Sequence, residues 1–178
     1  MKYPTVFHLI SAVFKKAGIA SVLIGGFAVN YYKVTRQTAD VDFLITKTDF
    51  EKISSLLKKE GYEEDYIQKV FSRLKGNRLY LMDLDFMFID EDTLEEIIKG
   101  GKEISIAGQK FMVPSLEHLI ALKLHAIKHN FEVRKNKDIP DIVNLLINNK
   151  VKAKSGKFKD LCLKYGTEKI YKEILDRI

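Results

Sequence analysis

The sequence predicts an α/β (α+β) fold, a small mixed sheet with helices, followed by a wholly helical C-terminal subdomain. Three observations carry that expectation. The apolar run Val22, Leu23, Ile24 ends at the paired glycines Gly25 and Gly26, as a short buried strand does when it hands over to a helix. Stretch 40–45 alternates, the period of a strand, and a further long strand reads over 78–89. Beyond Pro114-Ser115 only helical periodicity remains, so the predicted boundaries are a mixed lobe over 1–113 and a helical subdomain over 114–178.

Taken in order, Val6, Leu9, Ile10, Val13 and Phe14 recur at helical spacing, and Gly18 closes that helix. Thr48-x-x-Glu51 reads as a capping box opening a helix through Lys59, with Gly61 ending it. Residues 62–76 show no clear period and predict a short edge segment followed by irregular structure. A long strand is expected over 78–89. A second capping box, Thr93-x-x-Glu96, opens a helix that stops at Gly100-Gly101, and residues 104–113 read as a hairpin turning near Gly108. Ser115 is placed to cap the first helix of the tail, whose apolar stripe is Leu116, Leu119, Ile120, Leu124 and Ile127. The final helix is expected to bury Ile170, Ile174 and Ile178.

Composition narrows the class. The chain has 178 residues, 46% hydrophobic and 30% charged, ordinary for a soluble globular protein. A single cysteine, Cys162, excludes a disulfide framework, His8 and Ser11 interrupt the only stretch resembling a leader, and no apolar run reaches membrane-spanning length. These features predict a cytoplasmic protein without membrane partners. The net charge of +6 is unevenly placed: residues 1–113 carry sixteen Lys and Arg against sixteen Asp and Glu, and residues 114–178 carry fourteen against eight. Such an excess suits either a polyanionic partner or a solvated basic surface.

The chemistry is concentrated between Val22 and Ile45. A glycine turn at a helix start presents backbone N–H groups and suits phosphate, which nominates Gly25 and Gly26. In Asp40-Val41-Asp42-Phe43 the two carboxylates share one strand face, and their repulsion is relieved by a cation between them. Hard oxygen donors of this kind suit Mg2+ or Mn2+. Asp83 and Asp85 stand among apolar neighbours, where an unpaired charge is costly, so one of them is expected at the same metal.

Strand, glycine turn, helix, then a strand bearing Asp-x-Asp, with thirteen residues separating Gly26 from Asp40: in this order the chain resembles the nucleotidyltransferase superfamily. Gly-Gly stands where many members have Gly-Ser. The resemblance implies a catalytic lobe over 1–113, a third carboxylate on a strand beside the Asp-x-Asp strand, for which Asp85 fits better than Asp83, and a nucleoside triphosphate as substrate. It makes Asp40, Asp42 and Asp85 the metal ligands, with Gly25, Gly26, Arg36 and Thr38 on the nucleotide. For Arg36 the alternative is a bracing role in its loop.

The tail carries a second likeness. Lys123 falls on the apolar stripe of its helix, where a lysine either snorkels past its neighbours or points into a phosphate-holding cleft. Lys123-Leu-His-Ala126 followed by Asp138-Ile-Pro-Asp141 is similar to the toxin-like branch of that superfamily, related to abortive-infection and toxin-antitoxin systems. This resemblance implies catalytic work for Lys123, nucleotide binding for Asp138, and an antitoxin partner. Against it, an Asp two residues before Pro140 is also a natural helix N-cap. His125 and His129 have helical zinc-site spacing but lack a third ligand in context and read as ordinary polar residues. Lys150, Lys152, Lys154, Lys157 and Lys159 form a run without an intervening acid, read as a solvated loop or as a track for an RNA or tRNA backbone. The resulting expectation is a metal-dependent transferase of nucleoside monophosphate to an RNA, antibiotic or protein hydroxyl, against a non-catalytic binding module.

Overall fold

The computed structural model describes residues 2–178. The chain divides into two compact units, Met1–Phe27 with Gln37–Ser115, and Ala28–Arg36 with Leu116–Ile178. The first 113 residues form, in order, α1 (Val6–Ala17), β1 (Val22–Leu23), α2 (Gly25–Tyr31), β2 (Asp40–Ile45), α3 (Lys47–Lys59), β3 (Tyr62–Ile67), β4 (Phe71–Gly76), β5 (Asp83–Phe88), α4 (Glu91–Gly100), β6 (Lys102–Ile106) and β7 (Gln109–Val113). The remainder is helical: α5 (Leu116–His129), α6 (Phe131–Asn148), α7 (Gly156–Tyr165) and α8 (Glu168–Leu175). No helix among the described residues is long and apolar enough to cross a membrane.

In the first unit, five strands form a mixed sheet of order β1-β2-β5-β4-β3, and β6 and β7 form a separate hairpin. β2 and β5 run parallel at its centre, with Asp40 opposite Asp83 and Asp42 opposite Asp85. Alternation sends Val41 and Phe43 to the opposite face from the aspartates. There the Phe43 ring stacks on Phe86 at 5.9 Å and meets Phe14 of α1 edge-on at 5.1 Å, while Phe50 of α3 lies 5.1 Å from Phe86. Each fully buried aromatic of this kind contributes about 1.5–3 kcal/mol. A one-residue slip of β2 would exchange Phe43 for Asp42 in that core, so the apolar face fixes the register that aligns the carboxylates.

Several elements differ from the sequence expectation. Helix α3 is capped by Thr46, whose side chain accepts from the Asp49 N–H at 3.1 Å, not by Thr48. Helix α4 is capped by Asp90, which accepts from the Thr93 N–H at 2.9 Å, so Thr93 lies inside the helix instead of at its cap. In both cases an earlier residue with extended backbone and a side-chain acceptor stands at the end of the preceding strand. Residues 62–76, expected to be largely irregular, are a regular hairpin with a bulge between Glu64 and Tyr66. Beyond Tyr62 every residue of β3 is exposed, so this edge strand has no need of an alternating pattern. The strand expected over 78–89 is confined to Asp83–Phe88. Leu81 packs where a Cβ on Gly76 would stand, closing residues 77–82 into a turn with Leu81 N–H bonded to the Arg78 carbonyl at 2.9 Å.

In the second unit, residues 28–36 join the C-terminal helices. The Asn149 side chain donates to the Tyr32 carbonyl at 2.9 Å and that of Asn148 to the Lys33 carbonyl at 2.6 Å. Helix α6 begins at Phe131 and carries Pro140 in its interior, so Asp138 is a mid-helix residue and not an N-cap. The lysine run is divided: Lys150, Lys152 and Lys154 lie between α6 and α7, whereas Lys157 and Lys159 lie on α7, which Ser155 caps. Ile170 and Ile174 are buried, but Ile178 follows α8 and is 57% exposed.

Candidate active site

In the first unit the site is built from β2, β5, β4 and the turn that follows β1. The Ile24 N–H donates to the Asp42 carbonyl at 2.9 Å, bringing the glycine turn against β2. Gly25 has φ +62°, and a Cβ there would stand 1.9 Å from Asp42 Oδ2. Only glycine both adopts that backbone and leaves room for the carboxylate. A Cβ on Gly26 would stand 2.6 Å from Thr38 Cβ and Oγ1. Gly-Gly is thus explained by two close approaches, Asp42 on the first residue and Thr38 on the second.

One carboxylate oxygen from each of Asp40, Asp42 and Asp85 lies within 4.8 Å of the others. The Thr38 hydroxyl bridges to Asp40, with contacts of 2.8 Å to Oδ1 and 3.2 Å to the carbonyl. Asp83, the alternative third carboxylate, is used differently: its Oδ1 accepts the Gly76 N–H at 3.1 Å and braces the turn after β4. Its strand is the central one of the sheet, between β2 and β4.

A residue not singled out in the sequence completes this group. Arg73 of β4 lies directly opposite Asp85 in the antiparallel ladder. Its Nε donates to Asp85 Oδ1 at 2.7 Å and its Nη2 to Oδ2 at 2.6 Å, with Nη2 also 4.0 Å from Asp40 Oδ2. Hydrogen bonding to Asp85 pushes the guanidinium pKa further up, so Arg73 is a permanent cation. Ser72 and Leu74 on either side of it are fully buried, so Arg73 faces the other way, towards Asp85.

Three carboxylates less one guanidinium leave two negative charges, the charge of one divalent cation, and the donors are all hard oxygens. The residues therefore fit Mg2+ or Mn2+. Among the described residues no other group of three such ligands converges; His125 and His129 lie with ring centroids 4.3 Å apart and belong to no such group.

The second unit contains a separate charged cluster. Lys123 of α5 is buried and donates to Asp138 Oδ1 and Asp141 Oδ2, both at 2.7 Å. Arg134 Nη1 lies 3.7 Å from Asp138 Oδ2, and Arg36 Nη1 lies 3.6 Å from Asp141 Oδ2. The Asn30 side chain clamps Arg36 by its backbone, accepting from its N–H and donating to its carbonyl, both at 2.9 Å. Lys123 does not snorkel to water; three cations surround two buried carboxylates. The Asp-x-x-Asp spacing places both acids one turn apart on α6, facing α5.

A parallel pair carrying Asp-x-Asp and a third aspartate, beside a glycine turn, is the arrangement expected from the resemblance to nucleotidyltransferases. The chain belongs to the family described as uncharacterised nucleotidyltransferase, which it matches over residues 6–177. The antibiotic-resistance factor ANT(2'')-Ia, seen in its solution structure, superposes with a TM-score of 0.68 at 16% identity, covering 97% of this chain and 94% of that one. The lincosamide antibiotic adenylyltransferase LnuA, with lincomycin bound, gives 0.55 at 19% identity over 80% of this chain and 94% of its own. An antigenic nucleotidyltransferase-like protein from Paracoccidioides brasiliensis gives 0.56 at 17% identity, covering 89% and 84%. At these identities the likeness concerns the fold. No curated protein matches the chain in sequence.

Proposed function

We propose that this enzyme moves a nucleoside monophosphate from a nucleoside triphosphate to an acceptor hydroxyl, in a reaction that needs a divalent cation held by Asp40, Asp42 and Asp85. The observation that carries the reading is the approach of the three carboxylates to within 4.8 Å of one another. Bound Mg2+ or Mn2+ supplies charge neutralisation at the triphosphate and polarisation of the reacting oxygens. The acceptor oxygen forms a bond to the α-phosphorus, the bond to the bridging oxygen breaks, and pyrophosphate leaves with the electron pair. The hydroxyl proton passes to a carboxylate or water at the site.

The chain's own residues prepare this step. Thr38 holds Asp40 through its Oδ1, Gly25 makes room for Asp42, and the Gly25 and Gly26 backbone serves the phosphates. In the helical unit, the same proposal assigns Arg36, Lys123 and Asp138 to nucleotide binding, with Lys123 fixing the Asp138 carboxylate rather than acting as a loose cation.

For the acceptor we favour RNA, on the charge excess of residues 114–178 and on exposed Lys150, Lys152 and Lys154, for which no ion pair forms among the described residues. Lys157 is less available, being paired with Glu117 at 2.6 Å. A small-molecule hydroxyl is the second reading, because of two proteins of similar fold one is by name an antibiotic-resistance factor and the other a lincosamide antibiotic adenylyltransferase. The toxin-like motif adds an antitoxin as a proposed partner, to be sought by co-purification. The test of the reaction is incubation with each α-labelled nucleoside triphosphate, Mg2+ and separate pools of RNA, protein and aminoglycoside or lincosamide. Label in RNA supports the favoured acceptor, label in the antibiotic selects the second reading, and no label or pyrophosphate in any pool rejects transfer.

A further inference from the structure

Arg73 holds both oxygens of a carboxylate that the proposed function assigns to a metal. The pair is a fork-on-fork contact at 2.7 and 2.6 Å, and the guanidinium also faces Asp40 at 4.0 Å. The Asp85 side chain is only 9% exposed, whereas that of Arg73 is 38% exposed, so the acid is fixed and the base has room to move. Arg73 is anchored opposite Asp85 on a hairpin whose outer strand is exposed beyond Tyr62. A cation drawn into the three carboxylates competes for the oxygens that Arg73 now holds and is repelled by its charge.

We propose that Arg73 is an exchangeable counter-ion: it neutralises Asp85 and Asp40 before metal enters, gives up at least one of its Asp85 bonds on loading, and turns the freed N–H groups to a phosphate of the substrate. This rests on the proposed metal-dependent reaction. It makes the arginine, and not the metal ligands alone, a determinant of how tightly the cation is held. Arginine suits both states, because the same planar fork matches a carboxylate and a phosphate.

The experiment measures Mn2+ binding alone, by the electron paramagnetic resonance signal of the free ion, on wild type, Arg73→Gln, Arg73→Lys and Asp85→Asn. Thermal unfolding with and without Mn2+ accompanies it. Removing a unit charge a few ångströms from a divalent ion should tighten binding by about tenfold or more. Arg73→Gln should therefore bind Mn2+ more tightly, melt lower without metal, and recover more on adding Mn2+ than wild type does. Arg73→Lys, which keeps the charge without the fork, should stay close to wild type in Mn2+ affinity. In the presence of Mn2+, both substitutions should weaken nucleotide binding.

Unchanged or weaker Mn2+ binding in folded Arg73→Gln would overturn the proposal and leave Arg73 a fixed brace for Asp85, without disturbing the reaction. If Arg73→Gln does not fold, Arg73→Lys decides through the nucleotide: unaltered nucleotide affinity would overturn the exchange. Mn2+ binding by Arg73→Gln but not wild type would support it. Absence of Mn2+ binding in both would reject the metal reading itself, and the exchange with it; Asp85→Asn shows whether any binding seen belongs to this site.

Discussion

Replacing Gly25 with alanine would place a Cβ 1.9 Å from Asp42 Oδ2, 2.4 Å from its Cγ and 2.9 Å from its Cβ. Ordinary contact begins near 3.4 Å, so the carboxylate oxygen must retreat by about 1.5 Å or the turn must open by as much. The φ of +62° adds about 1–2 kcal/mol for an L residue in the left-handed region. Displacing a reacting group by an ångström costs roughly 100-fold in rate. We therefore expect kcat/KM for pyrophosphate release to fall at least about 100-fold, with Mn2+ affinity about tenfold weaker. The backbone cost alone should lower Tm by about 2–8 °C. Gly108→Ala is the matched control: its φ is +74° and nothing lies within 4 Å of an added Cβ, so it bears the backbone cost without a collision. Steady-state pyrophosphate release and Mn2+ titration on both variants, with circular dichroism confirming folding, separate strain from displacement. Folded Gly25→Ala retaining activity and Mn2+ affinity within about threefold of Gly108→Ala would refute the placement of Asp42 at the metal.

Lys123→Met removes the shared donor of two buried carboxylates and should cost about 3 kcal/mol, the lower part of the range for breaking a buried pair, because Arg36 and Arg134 remain within 3.6 and 3.7 Å. Tm should drop by about 6–12 °C, and adding Asp138→Asn and Asp141→Asn should recover part of it; a loss below about 1 kcal/mol would show the cluster is not energetically coupled. Thr38→Val removes the hydroxyl that holds Asp40 Oδ1 at 2.8 Å and should weaken Mn2+ binding by about tenfold, read by titration, with little change in Tm.

The convergence of the three carboxylates was legible because these residues sit where local pattern and burial agree. Asp40 and Asp42 alternate with Val41 and Phe43, and the same apolar face that fixes the sheet register brings Asp85 beside Asp42. Arg73 was not legible, because its hairpin partner β3 is an exposed edge whose sequence carries no alternation, and without the hairpin nothing places residue 73 opposite residue 85. Both helix caps were read two or three residues late, since Thr46 and Asp90 are recognisable only once the preceding strands are known to end there. Asp138 looked like a cap because Pro140 follows it. In the structure, contacts of buried Ile139, Asp141 and Ile142 along α6 outweigh the cost of an internal proline, about 3 kcal/mol. The partnership of Lys123 with Asp138 and Asp141 spans fifteen and eighteen residues, beyond the reach of helical periodicity.

The most direct test of the central claim is pyrophosphate release from a nucleoside triphosphate by wild type and Asp42→Asn, each measured with Mg2+ and again after chelation by EDTA, in the presence of the acceptor pool that accepts label. The carboxylate cluster predicts release by wild type that EDTA abolishes and Mg2+ restores, and a loss of at least about 100-fold in Asp42→Asn at every Mg2+ concentration. Release by Asp42→Asn equal to wild type, or release unaffected by EDTA, would contradict it.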